Sequence, residues 1–99
     1  MATDVTYTVD EARGLLPVIR GTLLQIAVER RTGGDAGTLQ ALLGHLHSLG
    51  VVVRDLEAGL VDIPTVRDGE RAWLCWRLDD PQVDWWHTTR EGVASRRPL

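Results

Sequence analysis

The sequence predicts an α+β fold in which an antiparallel two-helix hairpin packs on a four-stranded antiparallel β-meander. In the first half of the chain, apolar residues recur at spacings of three and four, as they do on one face of a helix. In the second half, short segments with alternating apolar residues are separated by turn sequences such as Asp68-Gly69. A chain of 99 residues is expected to form one domain, residues 1–99. We expect the helical hairpin at about 8–50, the sheet at about 51–88 and a C-terminal tail at 89–99.

The first predicted helix begins after Thr8 and extends to about Arg31. Thr8 and Glu11 have the spacing of a capping box, in which each side chain accepts a hydrogen bond from the backbone N–H of the other residue. A second helix follows the turn sequence 32–37. It begins at about Ala36 or Thr38 and ends near Leu49. Because the connection is short, the two helices run antiparallel. The first helix is longer than the second, so part of its apolar surface needs another partner, either the sheet or a second copy of the chain.

Four strands are predicted in the second half of the chain, namely Val51–Leu56, Leu60–Val66, Ala72–Leu78 and Val83–His87. The lengths of the three connecting loops set the register, and side chains alternate between the two faces of each strand. The turn at Asp68-Gly69 pairs Ile63 with Leu74, and the next loop pairs Trp76 with Trp85. We expect these side chains to share the face that packs against the helices.

The opposite face of the predicted sheet combines aromatic and charged side chains. The predicted register pairs Arg54 with Asp62 and places Trp86 across from Cys75. It also pairs Arg77 with Asp84, and each ion pair is worth about 0.2–1 kcal/mol on a solvated surface. Tryptophan and arginine together are typical of a protein interface. We therefore expect an interaction face, covered by the C-terminal tail or by a second subunit, that is formed by Trp73, Trp86, Arg54, Asp62, Arg77 and Asp84.

Composition limits the classes of function. A hydrophobic fraction of 43% and a charged fraction of 25% are ordinary for a globular protein. The net charge of −3 argues against a protein built to neutralise nucleic-acid phosphates. No apolar segment approaches the roughly 20 residues of a membrane span, and the N-terminus lacks the basic and apolar regions of a signal peptide. With a single cysteine, no intrachain disulfide can form, so we expect a cytoplasmic protein.

The sequence contains no recognisable motif for catalysis, cofactor binding or metal coordination. We therefore expect no cofactor and lean against enzymatic activity. His45 and His47 lie two residues apart on the second helix, on different faces, so they are not expected to bind one metal ion together. Cys75 is predicted beside Asp62, and a neighbouring carboxylate raises the pKa of a thiol, which makes Cys75 a poor nucleophile.

Three hypotheses for function follow from these observations. The preferred one is a small homodimeric interaction module whose helical hairpin provides the assembly surface and whose Trp/Arg sheet face provides a second contact. The second is a small-ligand, anion or metal site formed where the tail folds back towards the end of the last strand, although a histidine satisfied by a local hydrogen bond is the simpler interpretation there. The third is nucleic-acid or ribosome contact through the arginines of the tail. The ligand-binding candidates are His87, Arg90, Arg96 and Arg97, near the carboxylates of Asp55 and Glu91.

Four stretches carry a family resemblance: Asp55–Pro64, Leu74–Leu78, Trp86–His87 and Arg96–Leu99. They resemble the bacterial family called domain of unknown function 2203. The opening residues 7–12 and 15–17 are also similar, so the resemblance covers nearly the whole chain. It implies a helical hairpin followed by a sheet, and it implies no particular activity. This sequence is shorter between the helices than that family's pattern.

Overall fold

The structure, a computed structural model, describes residues 5–99 and confirms the α+β class. Residues 1–4, which are part of the stretch examined for a signal peptide, lie outside the described residues. No helix in the described part of the chain has both the length and the hydropathy needed to cross a bilayer. The elements in chain order are the helices α1 (Val9–Thr32) and α2 (Ala36–Ser48), the strands β1 (Val52–Asp55), β2 (Leu60–Arg67), β3 (Glu70–Arg77) and β4 (Trp85–Thr88), a 3₁₀ turn at Val93–Ser95, and the strand β5 (Arg97–Pro98).

The helices begin and end where local chemistry places them. The Thr8 hydroxyl accepts a hydrogen bond from the N–H of Glu11 at 3.1 Å, and the Glu11 carboxylate accepts one from the N–H of Thr8 at 2.9 Å. The predicted capping box is therefore confirmed. Gly33 ends α1 with a φ of 66°, a conformation that favours glycine. Asp35 caps α2 by accepting a hydrogen bond from the N–H of Thr38.

The hydrophobic core lies between the helices and one face of the sheet. Strands β2 and β3 have the predicted register, with Ile63 opposite Leu74 and Val61 opposite Trp76. Asp68 and Gly69 both have positive φ, as the predicted two-residue turn requires. The side chains that form this core are Ala12, Leu16, Ile19, Leu23 and Ile26 of α1, Leu46 of α2, and Val51, Val61, Ile63, Leu74, Trp76 and Val83 of the sheet region.

Strand β1 pairs with β2 two residues away from the predicted register. Val53 lies opposite Val61, and a bulge follows between Val53 and Asp55. The Asp55 carboxylate accepts hydrogen bonds from the backbone N–H groups two and three residues further on, so the turn begins earlier than predicted. Because a shift of two residues preserves the faces of a strand, the predicted contact between Arg54 and Asp62 still forms.

The register between β3 and β4 was predicted wrongly by one residue. The structure pairs Cys75 with Trp85 and Leu74 with Trp86. A shift of one residue exchanges the two faces of a strand. Trp86 consequently packs against the core, and Trp85 and His87 lie on the outer face, which is the sheet face turned away from the helices.

Two interactions explain this register. The loop between β3 and β4 spans residues 78–84 and is closed by Asp80, which donates its N–H to the carbonyl of Arg77 and accepts the N–H of Arg77 on its side chain. In the predicted register, His87 would face Leu74 on the apolar side, and a buried polar group without a partner costs free energy. In the observed register His87 reaches Asp62 at 2.9 Å.

The tail adds a fifth strand that the sequence did not predict. β5 pairs with β4 through Trp85 opposite Pro98 and Trp86 opposite Arg97, and the N–H of Leu99 donates to the carbonyl of Asp84. This pairing covers an edge of β4 that would otherwise expose unpaired N–H and C=O groups. The meander is therefore five-stranded, in the order β1-β2-β3-β4-β5, rather than four-stranded. A strand of two residues has no alternation that a sequence pattern could reveal.

Candidate functional site

The outer face of the sheet carries a buried charged cluster around Asp62. Asp62 lies in the middle of β2 and is 0% exposed, and His87 on β4 is 2% exposed. One carboxylate oxygen of Asp62 lies 2.9 Å from His87 Nε2, and the other accepts a hydrogen bond from Arg54 Nε at 2.8 Å. Both oxygens are therefore satisfied, which offsets the cost of removing a carboxylate from water.

Both ring nitrogens of His87 face hydrogen-bond acceptors. Nδ1 lies 2.9 Å from the carbonyl oxygen of Thr88 and 3.0 Å from that of Glu91. A carbonyl oxygen can only accept, so Nδ1 carries a hydrogen and donates. Nε2 lies 2.9 Å from Oδ1 of Asp62. Both ring nitrogens are therefore engaged within the fold, and His87 has no free nitrogen.

His87 thereby links three parts of the fold: β2, the end of β4 and the turn that follows β4. This turn has further support, because the Glu91 carboxylate accepts hydrogen bonds from the Thr88 hydroxyl at 3.1 Å and from Arg97 at 3.1 and 3.2 Å. The turn is therefore fixed to the outer face through His87 and to β5 at the sheet edge through Arg97. Tail coverage of this face was one of the two alternatives expected from the sequence.

A cleft of about 360 Å³ opens beside the buried cluster. This volume falls within the range of small-ligand sites, about 300–1,000 Å³. Arg54 lies over the indole ring of Trp73, with its guanidinium carbon 5.2 Å from the ring centre. The residues that line the cleft are Arg54, Trp73, His87, Thr89, Arg90, Glu91 and Gly92.

The cleft brings together only some of the residues expected in a ligand site. His87 and Arg90 line it, and so does Glu91, which was expected near them. Arg96 and Arg97 do not line it. Arg96 lies against Asp80 and Trp85, and Arg97 lies against Trp86. Arg54 and Trp73 come from the expected interaction face, and nothing in the local sequence connects them with residue 90.

Arg96 covers another part of the outer face. Its guanidinium lies 4.6 Å from the centre of the Trp85 ring, 3.5 Å from a carboxylate oxygen of Asp80 and 3.9 Å from the sulfur of Cys75. Burial raises the pKa of the Cys75 thiol; the hydrogen bond from Arg96 opposes this rise, and the charge of Asp62 adds to it. A buried thiol that stays protonated is a poor nucleophile. The pKa of Cys75 is thus raised mainly by burial and less by the carboxylate of Asp62, which the sequence had suggested as the cause.

The predicted interaction face is divided between the two sides of the sheet. Trp73, Arg54 and Asp62 lie on the outer face as expected, although Asp62 is fully buried rather than solvated. Trp86 lies on the core side, where Arg67 and Arg97 pack over its ring at 4.5 and 5.5 Å.

The predicted ion pair between Arg77 and Asp84 does not form. Arg77 pairs with Asp79 at 2.9 Å, and Asp84 pairs with Arg13 of α1 at 3.5 Å. Arg13 also donates to the carbonyl of Val83, so Asp84 lies on the helix side. Both differences follow from the longer loop and the one-residue shift of β4.

Helix α1 offers a second candidate surface on the side opposite its buried residues. At about 100° per residue, this side between residues 14 and 28 carries no charge, whereas the solvent side of a surface helix is usually charged or polar. Val18, Leu24 and Val28 are 44%, 48% and 46% exposed. A helical projection of the sequence could have revealed this surface. The α1 outer strip, as we call it, consists of Gly14, Pro17, Val18, Gly21, Leu24, Gln25 and Val28, all exposed.

Metal ligation has little support in the described part of the chain. Within residues 5–99, no group of three His, Cys, Asp or Glu side chains is arranged to hold a metal ion. His45 and His47 are exposed on α2.

The fold and these two surfaces define a class: a small α+β protein in which a helical hairpin covers one face of a five-stranded meander and the tail encloses a cleft on the other. A family model described as Uncharacterized conserved protein (DUF2203) matches residues 28–99. The chain belongs to this family. The matched region begins within α1 and includes every residue that lines the cleft. No curated protein and no solved structure matches the chain.

Proposed function

We propose that this protein is a homodimeric interaction module that associates through the α1 outer strip. The observation that carries the proposal is an uncharged, exposed surface on the longest helix of the fold. Fully burying a leucine or valine side chain stabilises by roughly 1.5–3 kcal/mol. A second copy of the chain can cover Leu24 and Val28 without burying any unpaired charge.

The surface shape of the α1 outer strip supports self-association. Gly14 and Gly21 form hollows, since a Cβ atom built at either position would meet nothing within 4 Å. An antiparallel pair of α1 helices, with its two-fold axis between residues 22 and 23, places Leu24 of each copy opposite Gly21 of the other. It also places Val28 opposite Pro17. A symmetric dimer uses the same patch twice, so protruding and hollow positions on one strip complement each other.

The charges at the ends of α1 suit the same arrangement. Asp10 and Glu11 lie in the first turn of the helix, and Arg30 and Arg31 lie in the last. In the antiparallel pair, Arg31 lies opposite Gly14 of the other copy, about one turn from Asp10. Opposite charges thus meet at both ends of an uncharged centre, and the two helix dipoles oppose each other favourably.

Substitution of Leu24 by glutamate tests the homodimer. We expect wild-type protein to dimerise in sedimentation equilibrium and Leu24→Glu to raise the dimer dissociation constant about 100-fold or more. The reason is twofold. The dimer buries the exposed half of each leucine, worth about 0.7–1.5 kcal/mol per copy, and the variant instead places two unpaired carboxylates in the same apolar contact. Glutamate is a good helix former, so the helix itself should persist.

Val66→Glu is the matched control, because Val66 is 53% exposed on β2 and lies outside the α1 outer strip. This variant should dimerise like the wild type. A wild-type protein that sediments as a monomer at every concentration would contradict the proposal, as would a Leu24→Glu variant that dimerises normally.

Nucleic-acid or ribosome contact through the tail receives less support. Arg96 and Arg97 stack on Trp85 and Trp86, and both form ion pairs within the chain. We also propose a cytoplasmic location, supported by the single buried thiol of Cys75, which suits a reducing compartment.

A further inference from the structure

We infer that the cleft beside Asp62 and His87 binds a small metabolite that carries a carboxylate or phosphate group next to a flat ring. The cleft has a volume of about 360 Å³ and is lined by two arginines, one tryptophan and the turn that follows β4. It lies on the outer face of the sheet, whereas the proposed dimer surface lies on α1. The inference is therefore independent of the homodimer.

The carboxylates at the cleft are already engaged. Asp62 is held by Arg54 and His87, and Glu91 is held by Arg97 and Thr88. Neither carboxylate is available to attract a cation. A positively charged ligand therefore cannot be bound here by an ion pair with Asp62 or Glu91.

The cationic groups, in contrast, retain donors. Arg54 uses Nε for Asp62, which leaves its terminal nitrogens for the cleft. Arg90 lines the cleft and forms no ion pair with any of the residues 5–99 that the structure describes. Guanidinium groups bind carboxylates and phosphates through paired hydrogen bonds. An anionic ligand is therefore favoured, although the net charge of the chain is −3.

Trp73 supplies the apolar wall of the cleft. Its side chain is partly buried, and the Arg54 guanidinium lies 5.2 Å from the centre of its ring. A ligand whose ring lies against the indole would place an attached anionic group close to Arg54. An aromatic wall with a few polar groups is the usual composition of a small-molecule site.

His87 is a positioning residue in this site. Its two ring nitrogens are engaged by Asp62 and by the carbonyls of Thr88 and Glu91, so neither nitrogen is free to bind a ligand. By linking the turn at 88–91 to β2, it holds Arg90 and Arg54 on the lining of the same cleft. The cleft is thus formed before a ligand binds, and less ordering entropy is lost on binding.

Calorimetric titration with benzoate and with adenosine 5′-monophosphate tests this inference, with inorganic phosphate as the anion that lacks a ring. We expect saturable binding of at least one ring-bearing anion. Arg90→Ala should weaken this binding about tenfold or more, because a charge-assisted hydrogen bond is lost. Arg77→Ala removes an arginine that pairs with Asp79 outside the cleft and outside the α1 outer strip, and it should leave binding unchanged. Binding should also persist in Leu24→Glu.

The pattern of binding identifies the anionic group. Benzoate binding without the nucleotide indicates a carboxylate ligand, and the reverse indicates a phosphate ligand. The inference is overturned if neither ring-bearing anion binds saturably up to about 10 mM. It is also overturned if Arg90→Ala binds as the wild type does, or if phosphate alone binds as tightly as the nucleotide.

Discussion

The contact between Asp62 and His87 determines how several other residues are arranged. It draws β4 into a register that brings His87 to the outer face, and it anchors the turn that carries Arg90. A buried ionisable pair is tolerated only when each polar atom has a partner. No buried side-chain nitrogen or oxygen within the described residues lacks a hydrogen-bond partner, so this requirement is met.

Removing one member of this pair should strongly destabilise the fold. We expect Asp62→Ala to lower the free energy of unfolding by about 3–5 kcal/mol, because His87 and Arg54 lose a buried partner. The double variant Asp62→Leu/His87→Phe should lose less stability than Asp62→Leu and His87→Phe lose in sum. The coupling energy should be about 0.5–3 kcal/mol. Urea unfolding measures these differences.

Asp79→Ala is the control for this experiment, since Asp79 forms an exposed ion pair with Arg77. Such a pair is worth at most about 1 kcal/mol. If Asp62→Ala proves no more destabilising than Asp79→Ala, the buried pair does not stabilise the sheet as argued.

At the scale of the elements, two glycines with positive φ close the first two hairpins of the meander. Gly59 joins β1 to β2 with a φ of 65°, and Gly69 joins β2 to β3 with a φ of 80°. The surroundings of these glycines differ. A Cβ atom at Gly59 would lie 2.7 Å from Cβ of Leu78, whereas a Cβ at Gly69 would meet nothing within 4 Å.

The two positions provide a matched comparison of backbone strain and crowding. Gly69→Ala should cost about 1 kcal/mol, because alanine rarely adopts positive φ. Gly59→Ala should cost at least about 1 kcal/mol more. The added methyl group forces Leu78 to move, and with it the hydrogen bond from the N–H of Leu78 to the carbonyl of Gly59. Thermal or urea unfolding of both variants checks this order, and equal losses of stability would show that Leu78 yields easily.

At the scale of the whole molecule, the two proposed functions lie on opposite sides of one core. The α1 outer strip faces away from the sheet, and the cleft lies on the sheet face that the helices do not cover. Substitutions that affect association should therefore leave ligand binding intact, and the reverse should also hold.

Alkaline pH should destabilise the whole fold. Burial raises the pKa of the Cys75 thiol, and burial together with the charge of Glu11 raises the pKa of Tyr7. As pH rises, the unfolded chain loses these protons first, at about pH 8.5 for cysteine and about pH 10 for tyrosine. The free energy of unfolding should therefore fall above about pH 8.5. Urea unfolding between about pH 7 and about pH 11 measures this slope.

Cys75→Ala separates the two groups. In this variant the free energy of unfolding should fall less between about pH 8.5 and about pH 10, where the thiol ionises. It should still fall at higher pH, where Tyr7 ionises. An unchanged slope in Cys75→Ala would show that the thiol does not contribute.

Local chemistry in the sequence was sufficient for the helix ends, the turn at Asp68-Gly69 and the inward face of β2 and β3. Each depends on residues a few positions apart, through a capping box, a left-handed turn or the alternation of a strand. The uncharged side of α1 is also encoded locally, because helical periodicity alone reveals it.

Only the tertiary structure decided the register of β4, the fifth strand and the membership of the cleft. These features depend on partners far apart in the chain: His87 finds Asp62 25 residues earlier, and the turn after β4 brings Arg90 to the cleft lined by Arg54 and Trp73. A loop length cannot distinguish two registers that differ by one residue. The hydrogen bonding of His87 does distinguish them. Burying an imidazole without a partner costs more free energy than any local preference supplies.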